Sequence, residues 1–406
     1  MSTAKITIIG DIMCEPRLLK ASKSKGHYNF DGVFQNVKDL FKESDYVIGN
    51  LETPLAGKEK GYTNGLFSFN TPDEFADAVK ASGIDLVTTA NNHCFDRGID
   101  GMIRTLEVLE KKDIPYTGTY KNAEERTEAH YVTINNKKIA IISYTYGTNY
   151  SNNRIVLDDS QKSLVNLLRP QQERYFVARK NKGKVSFGNK CFRKFLSFFN
   201  EEKQIHIKKF LGKTYYTAHA DDMLDETTAE PYVKKLHEDI SLARKNADIV
   251  LFYPHIGGQF NLEPGIFSDY IFDKAINAGC DAIIASHVHN VQKAEKRTDI
   301  PCFYSIGNFS MSPNSVYLLH DNLPDYGLAV HLYIEESGIS KITFTVLKML
   351  ESKKQSLTVY PVDKLYNKLK SEEEREQLLK DTKQIFTTVT GRFNNDFSIE
   401  SEYLVF

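Results

Sequence analysis

Apolar residues in this chain fall into short runs rich in Ile and Val, and polar residues gather where those runs end. "KITIIGDIM" (5–13), "DYVIGNLE" (45–52), "DLVTTANNH" (85–93) and "KKIAIISYTYG" (137–147) come first. After a gap follow "DIVLFYPH" (248–255), "DAIIASHVH" (281–289) and "PCFYSIGNFS" (301–310). Runs this short and this β-branched predict strands. Between them lie stretches with apolar residues at helical spacing. These are "TPDEFADAVKASG" (71–83), with Pro72 near its start and Gly83 at its end, "GIDGMIRTLEVLEKKD" (98–113), "EPYVKKLHEDISLARKNA" (230–247) and "SDYIFDKAINAGC" (268–280). Strand–helix–strand alternation predicts an α/β architecture.

Two stretches break the rhythm. Residues 169–213 carry thirteen Lys/Arg against three Glu, interleaved with Phe192, Phe195, Phe198 and Phe199, and read as an insertion between strands. Near the C-terminus "YGLAVHLYIEE" and "SKITFTVLKML" predict a hairpin turned at Glu335–Ser340. A charged helix, "LYNKLKSEEEREQLLKDTKQIF", follows and is expected to pack on the outside. The expected organisation is one domain over residues 1–350, interrupted by the basic insertion at 151–225, and a C-terminal helical extension at 351–406.

Composition narrows the class. The 406 residues are 41% hydrophobic and 26% charged, a globular balance, and suffice for one large domain or two ordinary ones. A formal net charge of −1 gives the chain as a whole no electrostatic preference for nucleic acid or membrane. No run approaches the roughly twenty apolar residues that span a bilayer. "MSTAKITIIG" (1–10) has neither the long apolar core nor the small-residue cleavage site of a secretory signal. Cys14, Cys94, Cys191, Cys280 and Cys302 are scattered without Cys-x-x-Cys spacing. That pattern reads as reduced thiols and a cytoplasmic location.

The polar residues at the strand ends change the picture most. Asp11 closes the first run, Asn50 and Glu52 the second, and Asn91, Asn92 and His93 the third. His255 closes the run before "IGGQF", and His287 with His289 closes the next. In open α/β sheets ligands bind outside the carboxyl ends of the strands, where the loops converge on one crevice. Each residue alone has an ordinary explanation: Asp11 as a turn or helix cap, Glu52 as a solvated loop carboxylate, His255 as a hydrogen-bonded histidine near the surface. Five strands that deliver carboxylate, amide and imidazole groups to one edge are hard to attribute to packing. With no thiolate in the set, the chemistry suits a divalent ion such as Mn, Fe or Zn. A carboxylate can bridge two such ions, and on an extended strand end His287 and His289 would point the same way.

These segments resemble the calcineurin-like metallophosphoesterase superfamily and, within it, the CapA-type poly-gamma-glutamate capsule-synthesis proteins. "GDIM" carries Asp11, with Met13 where the superfamily has a second His, and "GNLETPL" carries Glu52 in place of the bridging Asp. "NNHCFDRG" supplies Asn92 and His93, "HIGGQF" supplies His255, and "SHVHNVQ" supplies His287 and His289. "YTYGTN" (144–149) and "SIGNF" (305–309) also look CapA-like, and the likeness runs from about residue 5 to 310 outside the basic insertion. The more usual CapA-type "HWG.E" reads "HIGGQ" here, so a substrate-contacting Glu is replaced by Gln259 or absent.

The resemblance implies a four-layer α/β/β/α metallophosphoesterase sandwich with two divalent metal ions (Mn, Fe or Zn) at the sheet edge. One ion would take Asp11, Glu52 and His289, the other Glu52, Asn92, His255 and His287. An activated water would attack, His93 would protonate the leaving group, and Asp96 would hold His93 in the right tautomer. Asn50, Asn91, Gln259 and Asn308 are expected to bind substrate. The expected reaction is hydrolysis of a phosphoester or amide bond in an anionic polymer or its phosphorylated precursor, within capsule or exopolymer synthesis and alongside other capsule-synthesis proteins.

On that reading the basic insertion is a solvated loop, a lid for the anion or, through the Phe residues of 169–213, a peripheral membrane contact. The sequence has no P-loop, dinucleotide fingerprint or recognisable nucleic-acid module. Two rival readings use the same residues. One is a non-catalytic, metal-stabilised accessory subunit that grips polymer or an envelope assembly, and Met13 gives it weight. The other is a polyanion-binding module with a vestigial site, against which His93 and Asp96 speak.

Overall fold

The computed structural model of the chain describes residues 3–172, 187–214, 216–352 and 356–406. The expected strands form two sheets. In the first, Ala4–Ile12, Tyr46–Leu51, Leu86–Thr88 and Tyr116–Thr117 run parallel, side by side. The expected hairpin, Tyr326–Glu335 and Gly338–Glu351, extends this sheet antiparallel from the other side of Ala4–Ile12. In the second sheet Lys137–Thr145, Ile249–His255, Ala282–Ile284 and Ile300–Phe303 are parallel. His130–Ile134 and Ala294–Arg297 border it antiparallel.

Side-chain alternation sets the layers. Ile6, Ile8, Ile48 and Leu86 of the first sheet meet Ile139, Ile141, Leu251 and Ile284 of the second in one core. On the first sheet's other face, Val47 and Val87 pack with Phe75 and Val79 of helix Glu74–Ser82 and with Leu106 and Leu109 of helix Gly98–Lys111. On the second sheet's outer face, Ala140, Ile142, Val250 and Phe252 pack with Leu236 and Ile240 of helix Glu226–Asn246 and with Ile271 and Ala275 of helix Ile266–Ala278. Burial on both faces explains why the parallel strands read as continuous apolar runs. The order is helices, sheet, sheet, helices, which is the expected four-layer α/β/β/α sandwich.

The end of the chain is less peripheral than its charge suggests. The charged stretch does form a helix, Glu372–Thr390, with Ser371 as its cap and three glutamates in its first turn, where the helix dipole favours negative charge. Its inner stripe, Leu378, Ile385 and Val389, is buried in the core between the sheets. Leu357–Pro361 and Tyr403–Leu404, on either side of it in sequence, both pair with Gly338–Glu351. The last fifty residues therefore complete the first sheet as well as adding a helix.

The insertion is tied to this framework at several points. Val165 and Leu167 bridge to Thr119 and Thr145. Arg169, one of the cations of the basic stretch, is buried: its guanidinium donates to the carbonyls of Met223 and Ala220 at 3.0 and 3.1 Å and lies over the Phe267 ring. It is a staple, not part of a lid's charge. Helix Glu201–Phe210, capped by Asn200, buries Ile205 in the core on the first sheet's helical side. Glu201 accepts from Leu66 N at 2.6 Å, and Lys209 donates to Leu318 O at 3.0 Å. Residues 173–186, with five of the insertion's cations, lie outside the described residues.

Candidate metal centre

The strand ends from both sheets meet at one edge. Asp11 sits in register with Asn50 on one side and Asn308 on the other. The strand Asn308–Ser310 passes so close that a Cβ on Gly10 would lie 1.9 Å from Gly307 O. That close approach is why glycine precedes Asp11.

Asp11 is held from two directions: Asn50 Nδ2 donates to its Oδ1 at 2.7 Å, and His287 N donates to its Oδ2 at 3.1 Å. Asn50 is itself fixed, its Oδ1 accepting from Asn91 Nδ2 at 3.1 Å and Thr88 Oγ1 at 3.2 Å. Asn91 also donates to Leu51 O at 2.8 Å and accepts from His93 N at 3.1 Å. Asn308 Nδ2 donates to His289 O and Pro324 O at 3.0 and 2.9 Å. Asn50, Asn91 and Asn308, expected to bind substrate, are buried with their amides engaged in this framework. Their hydrogen bonds run to Asp11 Oδ1, from His93 N and to His289 O. Gln259, the fourth of that set, accepts from Thr217 N and Oγ1 at 3.1 and 2.8 Å, and so ties its loop to the end of the insertion.

Five residues form the cluster. One ligand atom from each of Asp11, Glu52 and His255 lies within 4.8 Å of the others, and the same holds for Glu52, His287 and His289. Glu52 is common to both groups, as a bridging carboxylate would be. The two groups overlap and do not divide the cluster. His289 Nδ1 lies 3.7 Å from Asp11 Oδ2, as close as His255 Nδ1 lies to Asp11 Oδ1, so the pairing the resemblance implies fits these distances too. Asn92 Oδ1 lies 2.7 Å from His255 Nε2, and His287 Nδ1 lies 3.1 Å from that same nitrogen.

His287 and His289 converge by a route other than strand alternation. Their strand ends at Ile284, and both residues hold positive φ, 110° and 66°. Such backbone is uncommon outside glycine and costs energy. Here it turns two imidazoles toward one point, with ring centroids 5.8 Å apart.

The electrostatics of the cluster fit a cation. Both oxygens of Glu52 are buried with no hydrogen bond to either. Burial, and then the Asp11 carboxylate beside it, raise the Glu52 carboxyl well above its usual range. Burial lowers His255 to about 4, so it is held as a neutral imidazole. Two carboxylates and three histidines, buried together without compensating cations, are what a divalent ion would satisfy.

Beside the cluster lies His93. Its Nδ1 is 2.6 Å from Asp96 Oδ2, and its Nε2 faces Glu52 Oε1 at 3.9 Å. Burial lowers the His93 pKa, but the carboxylates of Asp96 and Glu52 outweigh it and the net direction is upward. Asp96 also accepts from Phe69 N at 2.6 Å, and the Phe69 ring rests against His93. Gly98, with φ of +85°, ends this turn and starts the helix Gly98–Lys111. Met13 is buried in the apolar core and brings no ligand.

Sequence reasoning missed two residues of "YTYGTN". Asn149 Oδ1 accepts from Asn92 Nδ2 at 3.1 Å, and its Nδ2 lies 3.4 Å from His93 Nδ1. The Tyr146 ring packs against His287, centroids 4.4 Å apart. The likeness of that segment to the family was the one signal that pointed to them.

Residues 5–312 match the family model described as "Bacterial capsule synthesis protein PGA_cap". The chain belongs to this family. Among curated proteins it is 24% identical over 393 residues to the PGA biosynthesis protein CapA of Bacillus subtilis (strain 168), covering 96% of this chain and 81% of the relative. It is also 24% identical over 307 residues to the capsule biosynthesis protein CapA of Bacillus anthracis, covering 75% of this chain and 59% of that one. Among solved structures, a Staphylococcus aureus protein described as a candidate 5′-nucleotidase, in complex with alpha-ketoglutarate, aligns with a TM-score of 0.41 at 13% identity, over 94% of this chain and 58% of the other. No helix among the described residues is long and apolar enough to cross a membrane.

Proposed function

We propose that this member of the capsule-synthesis family is a metal-dependent hydrolase that cleaves a phosphoester or amide bond in an anionic polymer or its precursor. The observation that carries the reading is Glu52, buried and without hydrogen bonds at the meeting point of two potential ligand groups. Asp11, Glu52, Asn92, His255, His287 and His289 would hold two divalent ions, Mn, Fe or Zn. Ions bound there would supply Lewis-acid polarisation of the scissile group and lower the pKa of a water.

The chain's own residues supply the rest. Asp96 only accepts, so His93 Nδ1 keeps its proton and Nε2 is the atom turned to the cluster. A proton on Nε2 is then in place for the leaving oxygen or nitrogen. Asn149 and Phe69 fix Asn92 and the His93 ring, so proton donor and ligand keep their separation. The family name and the relatives' names support a capsule polymer, poly-gamma-glutamate, as the setting of the reaction. Other capsule-synthesis proteins would be its partners.

A second reading, a metal-stabilised accessory subunit, is favoured by one feature: Met13 leaves the cluster one imidazole short of the superfamily pattern. The two separate in a single comparison. Chain loaded with Mn is offered an aryl phosphomonoester, an aryl phosphodiester and poly-gamma-glutamate, beside a His93→Ala variant. The hydrolase turns over at least one of them, and the variant loses about 10²–10⁴ of that rate with its metal content unchanged. Metal without turnover of any of the three would favour the accessory subunit.

A further inference from the structure

A cavity of about 510 Å³ opens on the outer side of the second sheet, between the start of the insertion and helix Glu226–Asn246. It shares no residue with the metal cluster. Its size falls in the range of small-molecule sites, and its lining is of the same mixed kind, with Tyr144, Tyr232 and Leu157 among the apolar walls.

The charges on its wall are of one sign. Arg126, Lys162 and Lys235 line it, and among the described residues no carboxylate does. Asp239 stands behind the wall and is shared: Arg126 and Lys235 both pair with it, the latter at 2.9 Å, and Tyr144 Oη donates to it at 2.5 Å. Among the described residues, one carboxylate between two cations leaves a net positive charge on this part of the wall. Lys162 pairs with Asp159, and both side chains are largely exposed, so the pair is weak and Lys162 is free to turn to an anion in the cavity. A buried, fully shared Asp239 also fixes Arg126 and Tyr144 in place before any ligand arrives.

We infer that this cavity is a second ligand site, separate from the metal cluster, which takes an organic anion with an apolar body, its carboxylate or phosphate toward Lys162, Lys235 and Arg126. The apolar body lies against Tyr144, Tyr232 and Leu157. The inference does not rest on hydrolase chemistry. It would stand if the metal cluster were purely structural.

Calorimetric titration of the full chain tests it, with three probes of one shape: naphthoate, its phosphonate counterpart naphthyl phosphonate, and the neutral naphthamide. Both anions are expected to saturate a single site, with naphthamide weaker by at least about tenfold, the equivalent of one modest charge interaction. The tighter of the two anions identifies whether carboxylate or phosphate is the natural headgroup. Replacing both lysines, Lys162→Gln with Lys235→Gln, should weaken the anions by about tenfold or more and leave naphthamide unchanged. Ser163→Trp, which fills the cavity from a half-buried position on its wall, should abolish binding of all three at an unchanged melting temperature. Equal affinity for naphthamide, binding that survives Ser163→Trp, or no binding of either anion would overturn the inference.

Discussion

Asn308 Oδ1 accepts from His289 Nδ1 across 3.0 Å, and it has no other option. Its amide nitrogen already donates to His289 O and Pro324 O, so the oxygen must face the ring. His289 Nδ1 is thereby the protonated nitrogen, and Nε2 keeps the lone pair a metal requires. Asn308→Ala should weaken metal binding by about 10–100-fold, as loss of an orienting partner does. Competition with a fluorescent chelator measures it, and an unchanged affinity would show that the turn alone orients His289.

Glu52 predicts an inversion between apo and metal-bound stability. In the apo protein its carboxyl is buried beside Asp11, which together with burial raises it well above its usual range, and neither oxygen has a hydrogen-bond partner of good geometry. A carboxyl raised in this way must take up a proton when the apo chain folds. Glu52→Gln removes that cost, so the apo variant should be more stable than the apo parent by about 1–3 kcal/mol. The same change should erase most of the stabilisation that added Mn gives the parent. Thermal melts with and without Mn decide it, and an apo variant that melts lower than the parent would count against the electrostatic account.

His93 depends on Asp96 for its tautomer. Asp96→Ala should lower turnover by at least about tenfold, with metal content retained and KM little changed. Should metal be lost as well, the turn Asn91–Gly98 would be a ligand scaffold first and a proton donor's support second.

Far from the cluster, His331 sets part of the acid limit of the fold. Burial, reinforced by Lys5 and opposed by Glu402, holds its imidazole at about 3, between Thr7 Oγ1 at 2.8 Å and Thr345 Oγ1 at 3.0 Å. The folded state refuses a proton that the unfolded chain binds below its ordinary pKa near 6.5. Stability from this group is therefore complete above that pH and is lost as pH falls toward about 3, at up to about 1.4 kcal/mol per unit. In His331→Gln the slope of unfolding free energy against pH across that window should flatten. An unchanged slope would assign the acid loss to other groups.

Gly10 tests the packing of the edge itself. Gly10→Ala drives a methyl into Gly307 O at a separation no packed atoms tolerate, and should cost about 1–3 kcal/mol or displace Asn308–Ser310. Denaturant unfolding reads the first outcome, and a lowered metal affinity reads the second.

The strands and the cluster of polar groups were legible because both are local patterns: an apolar run, then polar residues at or just past its carboxyl end. Asp11 and His255 stand within the ends of their strands and Glu52 directly follows one, whereas Asn92, His287 and His289 lie in turns beyond theirs. Less legible were relations between segments distant in sequence. Nothing local in "YTYGTN" says that Asn149, at a φ of 51°, bends back to Asn92 and His93 across the gap between the sheets. Composition counts Arg169 with the exposed cations, since only packing distinguishes a buried guanidinium from a solvated one. The polar face of Glu372–Thr390 likewise masked the stripe that enters the core. The approach of His287 to His289 was expected from strand period and is produced by a turn, because backbone φ leaves no mark in the residue types of "HVH".

Metal stoichiometry, measured by elemental analysis of the chain loaded with Mn and freed of excess, tests the central claim most directly. The parent should retain about two ions per chain, the number one carboxylate can bridge, and Glu52→Ala should retain at most one. A parent chain that holds no metal after loading would contradict the account, and the buried carboxylates of Asp11 and Glu52 would then need another explanation.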